Sequence, residues 1–225
     1  VFETDEKRKL AMYMRRTAAL RPLLDELGKK AYEDLHKTLS FEVGEVSMEL
    51  AEMKSVRIRA KQEAQPAYRP KAVEITKVNQ FLDEAVDAFQ HFVDMYRKEK
   101  PEPLMPPPPP PPVYDESGKE VPAAPEVVPI EVDDDELGVY LRAHFYIARL
   151  HNKWLPPPDA GPAERCRGLK LALEKFEWLR GHAREKLPLL KDEAARSTLF
   201  ADELAMADQM VELLPEQISR VHYAR

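Results

Sequence analysis

Apolar residues recur along most of this chain at intervals of three and four, the period of a helix that buries one side. From about Ala31 to Ala64 the stripe is Leu35, Leu39, Val43, Val46, Leu50 and Met53. From Lys71 to Lys98 it is Ile75, Val78, Leu82, Ala85, Phe89, Phe92 and Tyr96. Asp134 to Leu155 carries Leu137, Tyr140, Leu141, Ile147, Ala148 and Leu150, and Ala163 to Lys186 carries Leu169, Ala172, Leu173, Phe176 and Leu179. Two more helices are predicted, one from Thr4 to Leu27 and one from Pro188 to about Leu214. The first has Thr4 as N-cap, Asp5 and Glu6 in its first turn and Gly28 just past its end. Pro22 is expected to kink or restart it, and Pro215 to kink the last helix. No apolar segment alternates with period two, so strands are not expected.

Prolines divide these elements. Pro66 and Pro70 separate the second helix from the third, and Pro156-Pro157-Pro158 with Gly161-Pro162 makes a short stiff loop. Twelve prolines fall between Pro101 and Pro129, seven of them unbroken from Pro106 to Pro112. Such a run lacks backbone N–H donors and has every φ fixed, which excludes helix and central strand alike. It is expected to be extended polyproline II with acidic flanks. The organisation predicted is helical repeats over 1–98, a proline-rich acidic linker over 99–133, and a further repeat with a capping helix over 134–225.

Successive amphipathic helices on short loops form antiparallel hairpins, which fit a bundle or an α-solenoid. The small residues favour the solenoid. Val43-Gly44 and Ala51 stand where a tetratricopeptide inner helix has its Leu-Gly pair and its later small residue, and Ala85 then Phe89 follow the outer-helix pattern. Ile147-Ala148 and then Ala172 and Phe176 repeat the two patterns. The second and third helices would form one repeat, and the fourth and fifth another. The first would be the outer helix of a preceding repeat and the sixth a cap. The aromatic expected early in each inner helix is replaced by Ser40 and by His144. The fold class expected is therefore all-α, a tetratricopeptide-like α-solenoid interrupted by a disordered or extended proline-rich linker.

Composition narrows the function classes. The chain has 225 residues, only seven glycines, and a net charge of −6 that argues against a nucleic-acid partner. The single cysteine, Cys166, has no partner for an internal disulfide, which suits a reducing compartment. No apolar run approaches the roughly 18 residues that span a bilayer, and no signal-peptide core is present. A cytosolic or cytoskeletal protein is expected. The chain opens Val1-Phe2 without methionine near a helix start and is expected to be a fragment of a longer one.

Phe2-Glu3-Thr4-Asp5, Phe41-Glu42-Val43, Ile147-Ala148-Arg149-Leu150 and Met210-Val211-Glu212-Leu213-Leu214-Pro215 occur in an order that resembles the KIF-binding protein family. The likeness covers almost the whole chain and corresponds to the C-terminal third of that family. The proline linker departs from it, being longer and richer in proline than the family's loop. The resemblance implies a tetratricopeptide solenoid that binds kinesin motor domains on its concave face and blocks their attachment to microtubules. The family's upstream repeats are not in this chain, so inhibition by this part alone is not implied.

Two groups of side chains are candidates for partner contact. Glu42, Glu45, Glu49 and Glu52 lie on one face of the second helix, and on an inner helix they would line the concave surface. A motor surface that docks on acidic tubulin is basic, so an acidic row is a physical mimic of its track. The competing reading is a solvated face whose acids pair with Lys54 and Arg57. On the fourth helix Arg142, Tyr146, Arg149 and Lys153 share a face, and Tyr and Arg are enriched at binding hot spots. Here the competing reading is a solvent face with Arg142 paired to Asp135 or its neighbours.

Catalysis and cofactors find no support. His144 and His151 could face one way, but Glu136 and Glu174 are not spaced to complete a metal site. Cys166 could pair with His144 or His182, but nothing orients it as a nucleophile. No glycine-rich phosphate loop exists. The proline run is a generic ligand for profilin, SH3 or WW domains but lacks the flanking Arg or Lys of SH3 ligands, so a stiff spacer is the simpler role. The function expected is a non-catalytic protein-binding module with a kinesin motor domain as partner. The alternatives are a fixed component of a microtubule-based assembly such as an axoneme, in contact with microtubule-associated proteins, or a polyproline-ligand adaptor.

Overall fold

A computed structural model describes residues 2–27, 33–99, 113–114, 120–121, 134–190 and 192–223. These are almost wholly helical, as the three-and-four periodicity predicts. In chain order they form α1 (Phe2–Leu27), α2 (Glu33–Ala64), α3 (Ala72–Glu99), α4 (Asp134–Lys153), α5 (Pro162–Arg165), α6 (Arg167–Lys186), α7 (Glu193–Thr198) and α8 (Ala201–Tyr223). The only β pairing among the described residues was not expected. Val113–Tyr114 runs antiparallel to Glu120–Val121, with Val113 opposite Val121 and Tyr114 opposite Glu120. The predicted polyproline II conformation of the linker otherwise falls outside the described residues.

Three helix boundaries differ from expectation. α1 begins at Phe2, so Thr4 lies within the helix and does not cap it, and it runs on through Pro22 to Leu27. The predicted fifth helix has a step at Cys166 (φ −85°, ψ −8°), which separates the single turn of α5 from α6. The predicted sixth helix does not start at Pro188. Leu187–Leu189 form a 3-10 turn, Leu190 turns extended (ψ 145°), and the chain restarts at Asp192, whose carboxylate caps α7 by accepting the Ala194 N–H at 2.9 Å. Proline cannot donate to the preceding turn, and an acidic N-cap supplies the new start.

Each long helix packs on the one before and the one after: α1 on α2, α2 on α3, α3 on α4, α4 on α6 and α6 on α8. One connected core runs from α2 to α8. The α3 stripe is buried at every predicted position, from Ile75 to Tyr96, and so is that of α4. α2 differs. Leu35 is 48% exposed, and its buried side adds a line of small residues, Ser40, Gly44, Ser47 and Ala51, beside Val43, Val46 and Leu50. A helix packed on two sides needs a wider buried face than a single large-residue stripe provides, and small side chains let its neighbours close in.

The tightest of these approaches is at Gly44. A Cβ there would lie 2.7 Å from Cε1 of Phe89, whose ring is fully buried. Phe41 meets Phe89 and Phe92 edge to face at 5.2 and 5.3 Å between centroids, and Tyr146 of α4 sits 5.2 Å from Phe89. Hydrogen bonds fix the connections. Glu74 accepts from the Lys71 backbone N–H at 3.1 Å, half of a capping box, and also from Lys61 and the Tyr68 hydroxyl, which holds the turn between α2 and α3. Asn79 on α3 grips the chain after α4 with two bonds, donating to the Leu155 carbonyl at 2.7 Å and accepting its N–H at 3.0 Å.

His144 takes the place of the missing aromatic. It is buried, stands edge-on to Tyr140 at 4.8 Å and lies 4.2 Å from Trp178. Burial, and then the charge of Arg97, pushes its pKa from 6.5 down to about 3. The folded protein thus keeps this imidazole neutral while the unfolded chain protonates it below about pH 6.5.

Two predictions follow from this packing. Gly44→Val should destabilise the protein by about 1–3 kcal/mol by forcing α2 off the Phe89 ring. Gly181→Ala, where no atom lies within 4 Å of the added carbon, should raise stability by up to about 1 kcal/mol. Urea unfolding checks both, and equal effects would contradict the close approach at Gly44. The second concerns pH: because the unfolded state binds the extra proton between pH 6.5 and 3, His144 should cost about 2 kcal/mol of stability on going from pH 7 to pH 5. His144→Phe should show a correspondingly shallower loss, and an unchanged slope would contradict the buried neutral imidazole.

Candidate binding face

The face predicted from the four glutamates is built by three helices. α2 lies between α1 and α4, so each of its acids meets side chains from one neighbour or the other. Glu42 forms an ion pair with Arg16 of α1. The Glu49 carboxylate lies beside the Tyr13 hydroxyl and raises the pKa of that phenol. Glu52 faces the other way and holds two cations of α4, Lys153 and, at 3.0 Å, Arg149. The two predicted groups therefore meet at Glu52.

Glu45 sits at the centre. Burial raises its carboxyl pKa, the Glu49 charge adds to the effect and Arg16 opposes it. No ion pair joins Glu45 or Glu49 to a cation among the described residues. Tyr146 packs beside them on Phe41 and Phe89, and its phenol is raised first by burial and then by Glu45. Burial lowers the Lys153 pKa, and the bond to Glu52 opposes it.

Neither pairing in the competing readings is present among the described contacts. Lys54 lies over the Phe81 ring at 5.5 Å, and one buried Arg57 nitrogen has no hydrogen-bond partner. Arg142 bonds Glu203 of α8 at 3.0 Å and the Leu199 carbonyl at 3.5 Å, so the structure ties it to α8 and not to Asp135. Arg142 thus stands apart from the Glu52 cluster.

Two clefts open on this face. One, of roughly 370 Å³, lies between α1 and α2 and is lined by Lys9, Tyr13, Glu49, Glu52, Met53 and Val56. The other, of roughly 480 Å³, runs between the end of α2 and the end of α4, with Glu52, Val56, Arg59, Lys153 and Trp154 among its walls. Glu52 and the half-exposed Val56 line both. Lys9, Tyr13 and Arg16 were not singled out in the sequence, although their spacing of four and three marks one side of α1.

The remaining candidates sit elsewhere. The Cys166 thiol is buried against α8, 3.6 Å from the Ile218 carbonyl. His151 is half-buried, and burial, then Lys175 and Arg167, lowers its pKa. No group of three His, Cys, Asp or Glu side chains among the described residues is placed to hold a metal ion, and no described helix is long and apolar enough to cross a membrane.

The antiparallel helices thus bring charged and aromatic side chains together on an open face with two clefts. The chain belongs to the KIF-binding protein family, since the family described as KIF-1 binding protein C terminal matches residues 1–221. It is similar to the KIF-binding proteins of Bos taurus and Homo sapiens, each 26% identical over 219 residues and 97% of this chain. That of Danio rerio is 27% identical over 220 residues and 98% of the chain. The chain spans 28–29% of the length of these relatives. No solved structure matches it.

Proposed function

We propose that this protein is a non-catalytic kinesin-binding module that regulates how the motor engages microtubules. The observation that carries the reading is membership of the KIF-binding protein family along nearly the whole chain. The relatives' name says that they bind KIF proteins; binding by this chain, and blockade of microtubule attachment, are the proposal. The order of helix contacts supports a tetratricopeptide-like solenoid, with α2 and α3 as one repeat and α4 and α6 as the next. In that arrangement α2 and α4 are inner helices, which fits the contacts Phe41–Tyr146 and Glu52–Arg149 between them. The 99–133 segment joins α3 to α4, which pack directly on each other.

The acidic α2 row supplies the electrostatics. Glu45 and Glu49 are the members without a paired cation among the described residues, so they are the charges best able to meet a basic motor surface. Glu42 and Glu52 hold the row in register through Arg16, Arg149 and Lys153. Tyr146 offers an aromatic anchor beside them. A cytoskeletal location follows from such a partner.

Pull-down of kinesin motor domains should therefore be lost or weakened at least about tenfold by Glu45→Lys/Glu49→Lys, with helicity unchanged by circular dichroism. Raising the salt should weaken the wild-type complex in the same direction. Binding that survives the double charge reversal would contradict the acidic face as the contact. Absence of binding to any motor domain by the wild-type protein would contradict the function itself.

A further inference from the structure

The histidines that meet in the fold are not the pair His144 and His151 weighed from the sequence. They are His36 on α2 and His91 on α3, 55 residues apart. Nδ1 of His36 lies 3.1 Å from Nε2 of His91 and 3.3 Å from the thioether sulfur of Met95. The rings stand edge to face, 4.7 Å between centroids and at 80°. His91 and Met95 are one turn apart on α3 and so share a side of that helix. Antiparallel packing brings the start of α2 to the end of α3, which places His36 against both.

Two imidazole nitrogens and a thioether sulfur thus converge from two helices. The separations of 3.1 and 3.3 Å from His36 Nδ1 to the other two donors suit ligands of a single ion held at about 2.0–2.3 Å. A nitrogen–nitrogen–thioether set is soft, and it discriminates against hard oxygen-seeking cations in favour of monovalent copper. The charged neighbours do not obstruct it. Lys37, next to His36, reaches to Glu99 at 2.6 Å and Glu136 at 3.6 Å. Asp94 acts on His91 electrostatically, and its negative charge favours a cation there.

We propose that His36, His91 and Met95 form a binding site for a soft monovalent metal ion, Cu(I), for which Ag(I) serves as a probe. The sequence hid this site because two of its ligands are on different helices and the third is a methionine. An ion bound there cross-links the first turns of α2 to the last turns of α3, next to the proline segment. Its binding energy would add to the stability of that hairpin, because the unfolded chain does not hold the three donors together.

The test is titration of the whole chain with Ag(I), and with Cu(I) in competition with a chromophoric chelator under anaerobic conditions. Thermal unfolding is followed in parallel. One ion per chain and a higher Tm are expected. Binding should be lost in His91→Ala and weakened about tenfold in Met95→Leu, which keeps the side-chain volume but removes the sulfur. Cys166→Ser should leave both readouts unchanged. Because His91 is exposed, its variant is expected to fold, and circular dichroism checks that it does. Stoichiometry and Tm shift that persist in both His91→Ala and Met95→Leu, or that vanish in Cys166→Ser, would overturn the site. So would the absence of any Tm shift in the wild-type protein.

Discussion

The close approach of α2 to α3 at Gly44 is the constraint on which the rest of the structure depends. With no side chain at that position, the face of α2 rests on the Phe89 ring. Full burial of that ring contributes about 2–3 kcal/mol. Phe41 and Phe92 close round it, and Tyr146 then brings α4 against the same cluster. The contact therefore joins three helices and not two. Any side chain at Gly44 would move α2 relative to both neighbours.

The charged face is a consequence of that packing. Once α4 is seated through Tyr146, Arg149 and Lys153 reach Glu52. On its other flank α2 meets α1, whose Arg16 and Tyr13 engage Glu42 and Glu49. The ion pairs are partly exposed, and pairs of that kind add about 0–1 kcal/mol each. Their larger effect is positional. They hold the ends of the acidic row and leave Glu45 and Glu49 between them. Under the proposed function, that placement sets a negative strip on a helix held by its neighbours, which lowers the ordering cost of meeting a basic partner.

Much of this fold was legible as periodicity. The stripes of α3 and α4 are buried as read, and Gly44 opposite Phe89 bears out the expectation that small residues let neighbouring helices approach. The burial of Ser40 and Ser47 was less visible, because small polar residues on a second packed side carry almost no hydropathy signal. The break at Leu190 was missed because Pro188 reads equally well as a helix start. Glu42 to Glu52 could be placed on one helix face, but not their partners, since Arg16 lies 26 residues from Glu42 and Arg149 lies 97 from Glu52. Spacing along one helix reports which side chains share a face; it does not report what the fold lays against them. The same limit concealed the meeting of His36 with His91.

The central claim is that this helical stack presents the α2 face, with Tyr146 of α4, to a kinesin motor domain. Amide hydrogen exchange of the protein with and without a bound motor domain tests it most directly. Slower exchange concentrated in residues 42–56 of α2 and around Tyr146, with α6 and α8 unchanged, is the predicted result. Protection confined to α6 and α8, with α2 exchanging as in the free protein, would contradict it.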